Sequence, residues 1–219
     1  MKEHGRSVPY QQLAIAAAER GHAEVLAHCL DAGAVVDKDV EVAAWRGASP
    51  ELYTVMMSHS WPSCTGLSVT EVLDTNYVKG ARMINFLIER GATVSRKVIL
   101  SCSCASQDSL ERLEALARHG VDFRGSGALQ MAAAENNLAI LAFLLQHDVD
   151  VDEVPGEDTW DPREVRNGTP LCRALEFKNV EFAKRLLERG ADREKRNEAG
   201  LSPVDIARRM GLQDITNST

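Results

Sequence analysis

Gly168 to Ala191 reads G-T-P-L-C-R-A-L-E-F-K-N-V-E-F-A-K-R-L-L-E-R-G-A, and its pattern is that of two short helices back to back. Thr169 stands where a side-chain oxygen caps a first helix, and Pro170 takes the first helical position, where its missing N–H costs nothing. Leu171, Ala174 and Leu175 then share one side. Asn179 opens a second helix, on which Phe182, Ala183, Leu186 and Leu187 form an apolar stripe opposite Glu181, Lys184, Arg185 and Glu188. Gly190 supplies the left-handed residue that ends it. Helices this short bury too little to stand alone, so the hairpin predicts copies of itself stacked on either side.

Copies are present. Residues 128–151 (A-L-Q-M-A-A-A-E-N-N-L-A-I-L-A-F-L-L-Q-H-D-V-D-V) and 12–36, ending L-D-A-G-A-V-V, repeat the pattern, and weaker copies occupy 40–61, 70–94 and about 98–122. The unit resembles an ankyrin repeat, whose pattern is T-P-L-H-x-A-A-x-x-G-H, a hydrophobic second helix and then G-A-D. Gly200-Leu201-Ser202-Pro203-Val204-Asp205-Ile206-Ala207 is similar to that family's terminal half-repeat. The resemblance covers nearly all of residues 10–215 and implies an all-α solenoid of about six stacked helix-turn-helix units. Residues 1–9 read as a polar lead and 216–219 as a tail.

Composition agrees with this. A solenoid needs no single central core and can take any length, and an aromatic content of 5% suits helix pairs packed through Ala and Leu. With a net charge of −7 and no long Lys/Arg run, a nucleic-acid or anionic-membrane partner is disfavoured, and a basic protein segment is easier to accommodate. The first ten residues lack a signal-peptide core and no later stretch approaches a membrane span, so a cytoplasmic or nuclear location is expected. Five cysteines without framework spacing fit a reducing compartment, where the glycosylation triplets at Asn167 and Asn217 would be inert.

The units close at Gly33, Ser60, Gly91, Gly120, Asp148 and Gly190. Every interval but the last is shorter than the family's period of about 33 residues. The helices keep their lengths, so the finger loops between units are mostly shortened, while the last gap gains a loop, residues 152–167. That loop carries two prolines, Trp160 and, ahead of Arg163 and Arg166, five carboxylates (Asp152, Glu153, Glu157, Asp158, Asp161). It is either a solvated excursion whose Trp160 folds back on the stack, or a contact loop with Trp160 as its anchor.

Chemistry-bearing motifs are few. Nucleophile elbows, phosphate loops, dinucleotide fingerprints, H-E-x-x-H and C-x-x-C are all missing. Asp148-Val-Asp150-Val-Asp152 begins like a calcium loop but has Glu153 and Thr159 where the turn glycine and the closing Glu belong. Cys102 and Cys104, with His119 nearby in the pattern, lack further zinc ligands, and Cys29, Cys102, Cys104 and Cys172 read as buried small apolar residues. No metal or cofactor is expected. His22 falls at the family's structural G-H position. The T-P-L-H histidine is replaced throughout (Ile15, Leu73, Gln130 and Cys172 in the clearer units), which implies loss of its bond to the turn and a less stable stack.

By resemblance, partners bind a concave surface to which each unit gives the two residues that stand between the family's A-A and its turn glycine. These are Glu19 and Arg20, Trp45 and Arg46, Tyr77 and Val78, Ser106 and Gln107, Ala134 and Glu135, and Glu176 and Phe177. Arg20, Trp45, Arg46, Tyr77, Val78, Gln107, Glu135, Glu176 and Phe177, with Trp160, are the candidate partner-binding residues, because interface anchors are enriched in Trp, Tyr and Arg. Trp45 and Tyr77 lie in the least regular units and either project or turn inward to fill space. If they project, Trp45→Ala and Tyr77→Ala weaken binding and leave the melting temperature nearly unchanged. Three functions fit: a monomeric, non-catalytic module holding a protein segment; an enzyme or small-molecule binder with a pocket near Trp45, Tyr77 and Cys102/Cys104; and an adaptor lacking its effector domain. A deep pocket with convergent polar groups would favour the second, and a long shallow groove the first.

Overall fold

The computed structural model describes residues 10–47, 49–59, 69–73, 80–104, 107–155 and 168–217. Trp61, Tyr77, Val78, Ser106 and Trp160 lie outside them. Among the described residues the regular structure is entirely helical, joined by turns. The chain divides into two compact units, Met1–Thr93 and Val94–Thr219.

The first unit holds α1 (Tyr10–Glu19), α2 (Ala23–Asp31), α3 (Lys38–Gly47), α4 (Pro50–Ser58), α5 (Val69–Leu73) and α6 (Ala81–Glu89). α1 pairs with α2 and stacks on α3, while α2 stacks on α4 and α4 on α6. Small residues permit the close approach of the first helices: Ala14, Ala17 and Ala18 of α1 are buried, as are Ala43 and Ala44 of α3. Gly47 is required by that approach, since a Cβ there would lie 2.2 Å from the Ala18 carbonyl oxygen. The second helices supply the larger apolar groups, Leu26, Leu52, Met56, Ile84 and Leu87, all fully buried. Each contributes roughly 1.5–3 kcal/mol. Gln11 clamps the first pair: its amide donates to the Val35 carbonyl (3.0 Å) and to Asp37 (2.8 Å) and accepts from the Val35 N–H (2.9 Å).

The second unit holds α7 (Arg96–Ser103), α8 (Ser109–Arg118), α9 (Ala128–Ala134), α10 (Leu138–Gln146), α11 (Pro170–Glu176), α12 (Val180–Glu188), α13 (Pro203–Met210) and α14 (Gln213–Asn217). Its first helices stack in chain order, α7 on α9, α9 on α11 and α11 on α13. The hairpin at 168–191 forms as its sequence predicts. The Thr169 side chain accepts from the Cys172 N–H at 3.3 Å, Leu171, Ala174, Leu175, Phe182, Ala183 and Leu186 are fully buried, and Gly190 is left-handed at φ +87°. At α13, Ser202 and Asp205 form a reciprocal capping box.

Four details differ from expectation. Asn179 precedes α12 without capping it; its side-chain amide instead donates to the carbonyls of Ala133 (2.7 Å) and Ala134 (2.8 Å) in the preceding pair. A capping oxygen and a cross-pair donor leave the same residue type in a sequence. Secondly, the bond lost with the family's histidine is replaced at one position, where the Gln130 amide donates to the Glu153 carbonyl at 2.7 Å. Glu153, grouped by composition with the solvated carboxylates of the long loop, is buried. Cys104 is exposed, because α7 ends before it, whereas Cys29, Cys102 and Cys172 are buried as expected.

Candidate functional site

In the first unit, Glu19 and Arg20 leave the end of α1 and Trp45 and Arg46 lie at the end of α3. Arg46 meets Glu19 at 3.4 Å across the two stacked helices, both side chains being more than half exposed. Such a pair contributes at most a few tenths of a kcal/mol, so it aligns charge on the surface more than it holds the fold. Arg20 is exposed, while Trp45 is half-buried with its indole nitrogen shielded from solvent.

In the second unit the candidates Glu135, Glu176 and Phe177 lie at the turns that end α9 and α11. Glu135 is exposed at the first, and Gln107 is exposed ahead of α8. At the second, Phe177 is 50% exposed, although α11 just before it buries Leu171, Ala174 and Leu175 completely. The Arg173 guanidinium lies over the Phe177 ring, 4.6 Å from its centroid, and reaches Glu176 at 3.5 Å. Partial burial raises the Glu176 pKa, and Arg173 opposes that rise. An exposed ring fixed from one side by a cation is a preorganised apolar platform with a carboxylate beside it. The two Asn179 bonds to the end of α9 fix the spacing between the Glu135 turn and the Phe177 turn.

Glu176 and Phe177 were singled out from the sequence at this turn, whereas Arg173 and Asn179 were not. Arg173 stands four residues before Phe177, on the same helix face, and that spacing was the available signal. Of the remaining candidates, Tyr77, Val78 and Trp160 fall outside the described residues.

The three buried thiols, Cys29, Cys102 and Cys172, offer little reactivity. Burial raises the pKa of Cys102 to about 11 and also raises those of Cys29 and Cys172, keeping all three protonated near neutrality. Among the described residues no group of three His, Cys, Asp or Glu is arranged to hold a metal ion. The aspartates of the calcium-like stretch serve the turns: Asp150 accepts from the Asp152 N–H (2.9 Å), and both Asp152 carboxylate oxygens accept from the Asp192 N–H (3.0 and 2.8 Å). A cleft of about 370 Å³ lies between α10 and α12, lined by Leu138, Leu141, Ala142, Leu145, Arg185, Glu188 and Arg189, none of them a candidate partner-binding residue. No helix of the described residues is long and apolar enough to cross a membrane.

A family model described as ankyrin repeats (3 copies) matches residues 77–197, more than half of the chain. The protein belongs to the ankyrin-repeat family. Its stacked helix pairs are ankyrin units, and ankyrin repeats are generally protein–protein interaction modules. Among solved structures, it is similar to the ankyrin repeat domain of human ASB11, with 19% identity and a TM-score of 0.63 over 92% of this chain and 95% of that one. It is also similar to an ankyrin repeat domain from Acinetobacter baumannii AYE, with 18% identity and a TM-score of 0.53 over 92% of this chain and 93% of that one. At these identities the likeness shows the fold. No curated protein matches the sequence.

Proposed function

We propose that this ankyrin protein is a non-catalytic binding module that holds a segment of a partner protein along the residues preceding its inter-helix turns. The observation that carries this is Phe177, half exposed at a turn whose helix is otherwise buried, with Arg173 over its ring. Leaving a large apolar group in water is unfavourable, and interface anchors are drawn from such groups. Phe177 and its neighbours Glu135 and Glu176 suit a segment that pairs an apolar side chain with Lys or Arg, and the net charge of −7 favours the approach of a basic chain. Gln107 adds a polar group in the same compact unit, and Arg20 and Arg46 are the polar candidates of the first unit taken by itself.

Trp45 enters differently from Phe177. Being half-buried, it supports the surface as well as offering an edge to it, so Trp45→Ala is expected to lower stability by roughly 1–3 kcal/mol instead of leaving the melting temperature unchanged.

The test is a peptide-display selection against the full-length protein, followed by titration calorimetry of the selected peptides. Basic sequences with an apolar residue should be enriched, and Phe177→Ala should weaken them at least tenfold while leaving the urea midpoint in place. Selected peptides that bind Phe177→Ala and Glu135→Ala variants as tightly as the parent would overturn the assignment. Turnover of a small molecule by the protein would replace it with the alternative of an enzyme or small-molecule binder.

A further inference from the structure

Residues 148–155 lead out of one helix pair toward the next, and a carboxylate is buried in that segment. Glu153 is 8% exposed. Its Oε2 accepts from the Gly125 N–H at 2.8 Å, in the turn ahead of α9, and its main-chain carbonyl accepts from the Gln130 amide of α9 at 2.7 Å. Next to it, Asp152 reaches the following unit, accepting from the Asp192 N–H through its carboxylate and from Lys195 Nζ (2.7 Å) through its carbonyl. Two adjacent residues therefore fasten one segment to the unit before it and to the unit after it.

Satisfaction at this join is incomplete. Glu153 Oε1 and Gln130 Oε1 are both buried, and neither has a hydrogen-bond donor among the described residues. Two acceptors without donors are costly in a low-dielectric setting, most of all when one belongs to a charged carboxylate. A proton on Glu153 removes the charge and turns an orphan acceptor into a donor. The charged neighbours agree in sign: Asp122 and Asp150 both disfavour a third negative charge. The cations nearby are engaged elsewhere, Arg124 forking onto Asp122 (2.9 and 2.7 Å) and Lys195 donating to the Asp152 carbonyl.

We propose that Glu153 is a pH-sensitive latch between consecutive ankyrin units: as the neutral acid it holds the 148–155 segment against the 123–127 turn, and as the carboxylate it loosens that contact. Burial is the largest cause raising its pKa, to about 7, with Asp150 and Asp122 adding to the rise and the N–H groups of Gly125 and Gly127 opposing it. The folded protein thus holds a proton that the unfolded chain releases near 4.5. Between these two values the folded state binds more protons, so its stability falls as pH rises through that window and levels off above about 7. The proton released passes to solvent. A shift of this size lowers the folding equilibrium of the segment on the order of 10²-fold once the carboxylate is formed.

The experiment follows the Glu153 carboxyl carbon by NMR from pH 4 to 8 in the full-length protein, together with the exchange protection of the Gly125 amide. Glu153 is expected to titrate near neutrality, and Gly125 protection is expected to fall at least tenfold between about pH 4.5 and 7 and to level off above that, after correction for the intrinsic exchange rate. Glu153→Gln keeps an acceptor for Gly125 without a charge, so it should hold Gly125 protection flat over the same range. Titration of Glu153 near 4.5 overturns the proposal even if the Gln variant misfolds, and so does a pH slope that Glu153→Gln leaves unchanged.

Discussion

Replacing Asn179 by alanine removes a donor that serves two carbonyl oxygens of the preceding unit, Ala133 at 2.7 Å and Ala134 at 2.8 Å. Both carbonyls lie at the end of α9, where the helix itself provides no partner. At about 1 kcal/mol net for each bond, the loss is about 2 kcal/mol. Asparagine at this position invites another explanation, that it caps α12, and Asn179→Asp separates the two. A carboxylate is as good a helix cap as an amide, so a capping role predicts an aspartate variant as stable as the parent. It cannot donate, however, and it sets negative charge against two carbonyl oxygens at the negative end of α9, so the cross-unit role predicts a loss at least as large as that of alanine. Equilibrium urea unfolding of the parent and both variants measures this, with the amide exchange of α9 and α12 recorded separately because repeat arrays need not unfold in one step. An aspartate variant with the parent's midpoint would refute the reasoning.

Lys178 holds a left-handed backbone at φ +57°, in the turn position where the first unit has Gly21. Lys178→Gly is expected to raise stability by about 0.5–1 kcal/mol, the net of relieved strain and added chain entropy, read as a higher urea midpoint. Gly47→Ala should cost roughly 1–3 kcal/mol, since the new methyl group would lie 2.2 Å from the Ala18 oxygen and 2.9 Å from Leu52. A thermal midpoint unchanged in that variant would show that α1 and α3 are not held at this distance.

Arg173 and Asn179 were present in the quoted stretch, and although the spacing of Arg173 to Phe177 hinted at their contact, the partner of neither residue was fixed there. A charged residue on a short helix reads as solvated until its neighbour's ring is seen beneath it, and an asparagine before a helix reads as a cap until its amide is seen pointing the other way. Glu153 misled for the same reason. In the string D-E-V-P-G-E-D it is one of several carboxylates, and only the turn at 123–127 folding over it makes it a buried acid. Trp45, left open between projecting and packing, is half-buried with its indole nitrogen shielded from solvent.

The sequence by itself determined the helix pairs, their order, their turn residues and the family, because each is set by neighbours within about twenty residues: apolar spacing, a capping oxygen, a residue tolerant of positive φ. The tertiary structure alone decided which polar atoms serve the next unit. Those partners lie 23 to 46 residues away, as for Gln130 with Glu153 and Asn179 with Ala133. Hydrogen bonds of that span leave no periodic trace in a chain; they exist only once stacking has brought the two backbones together.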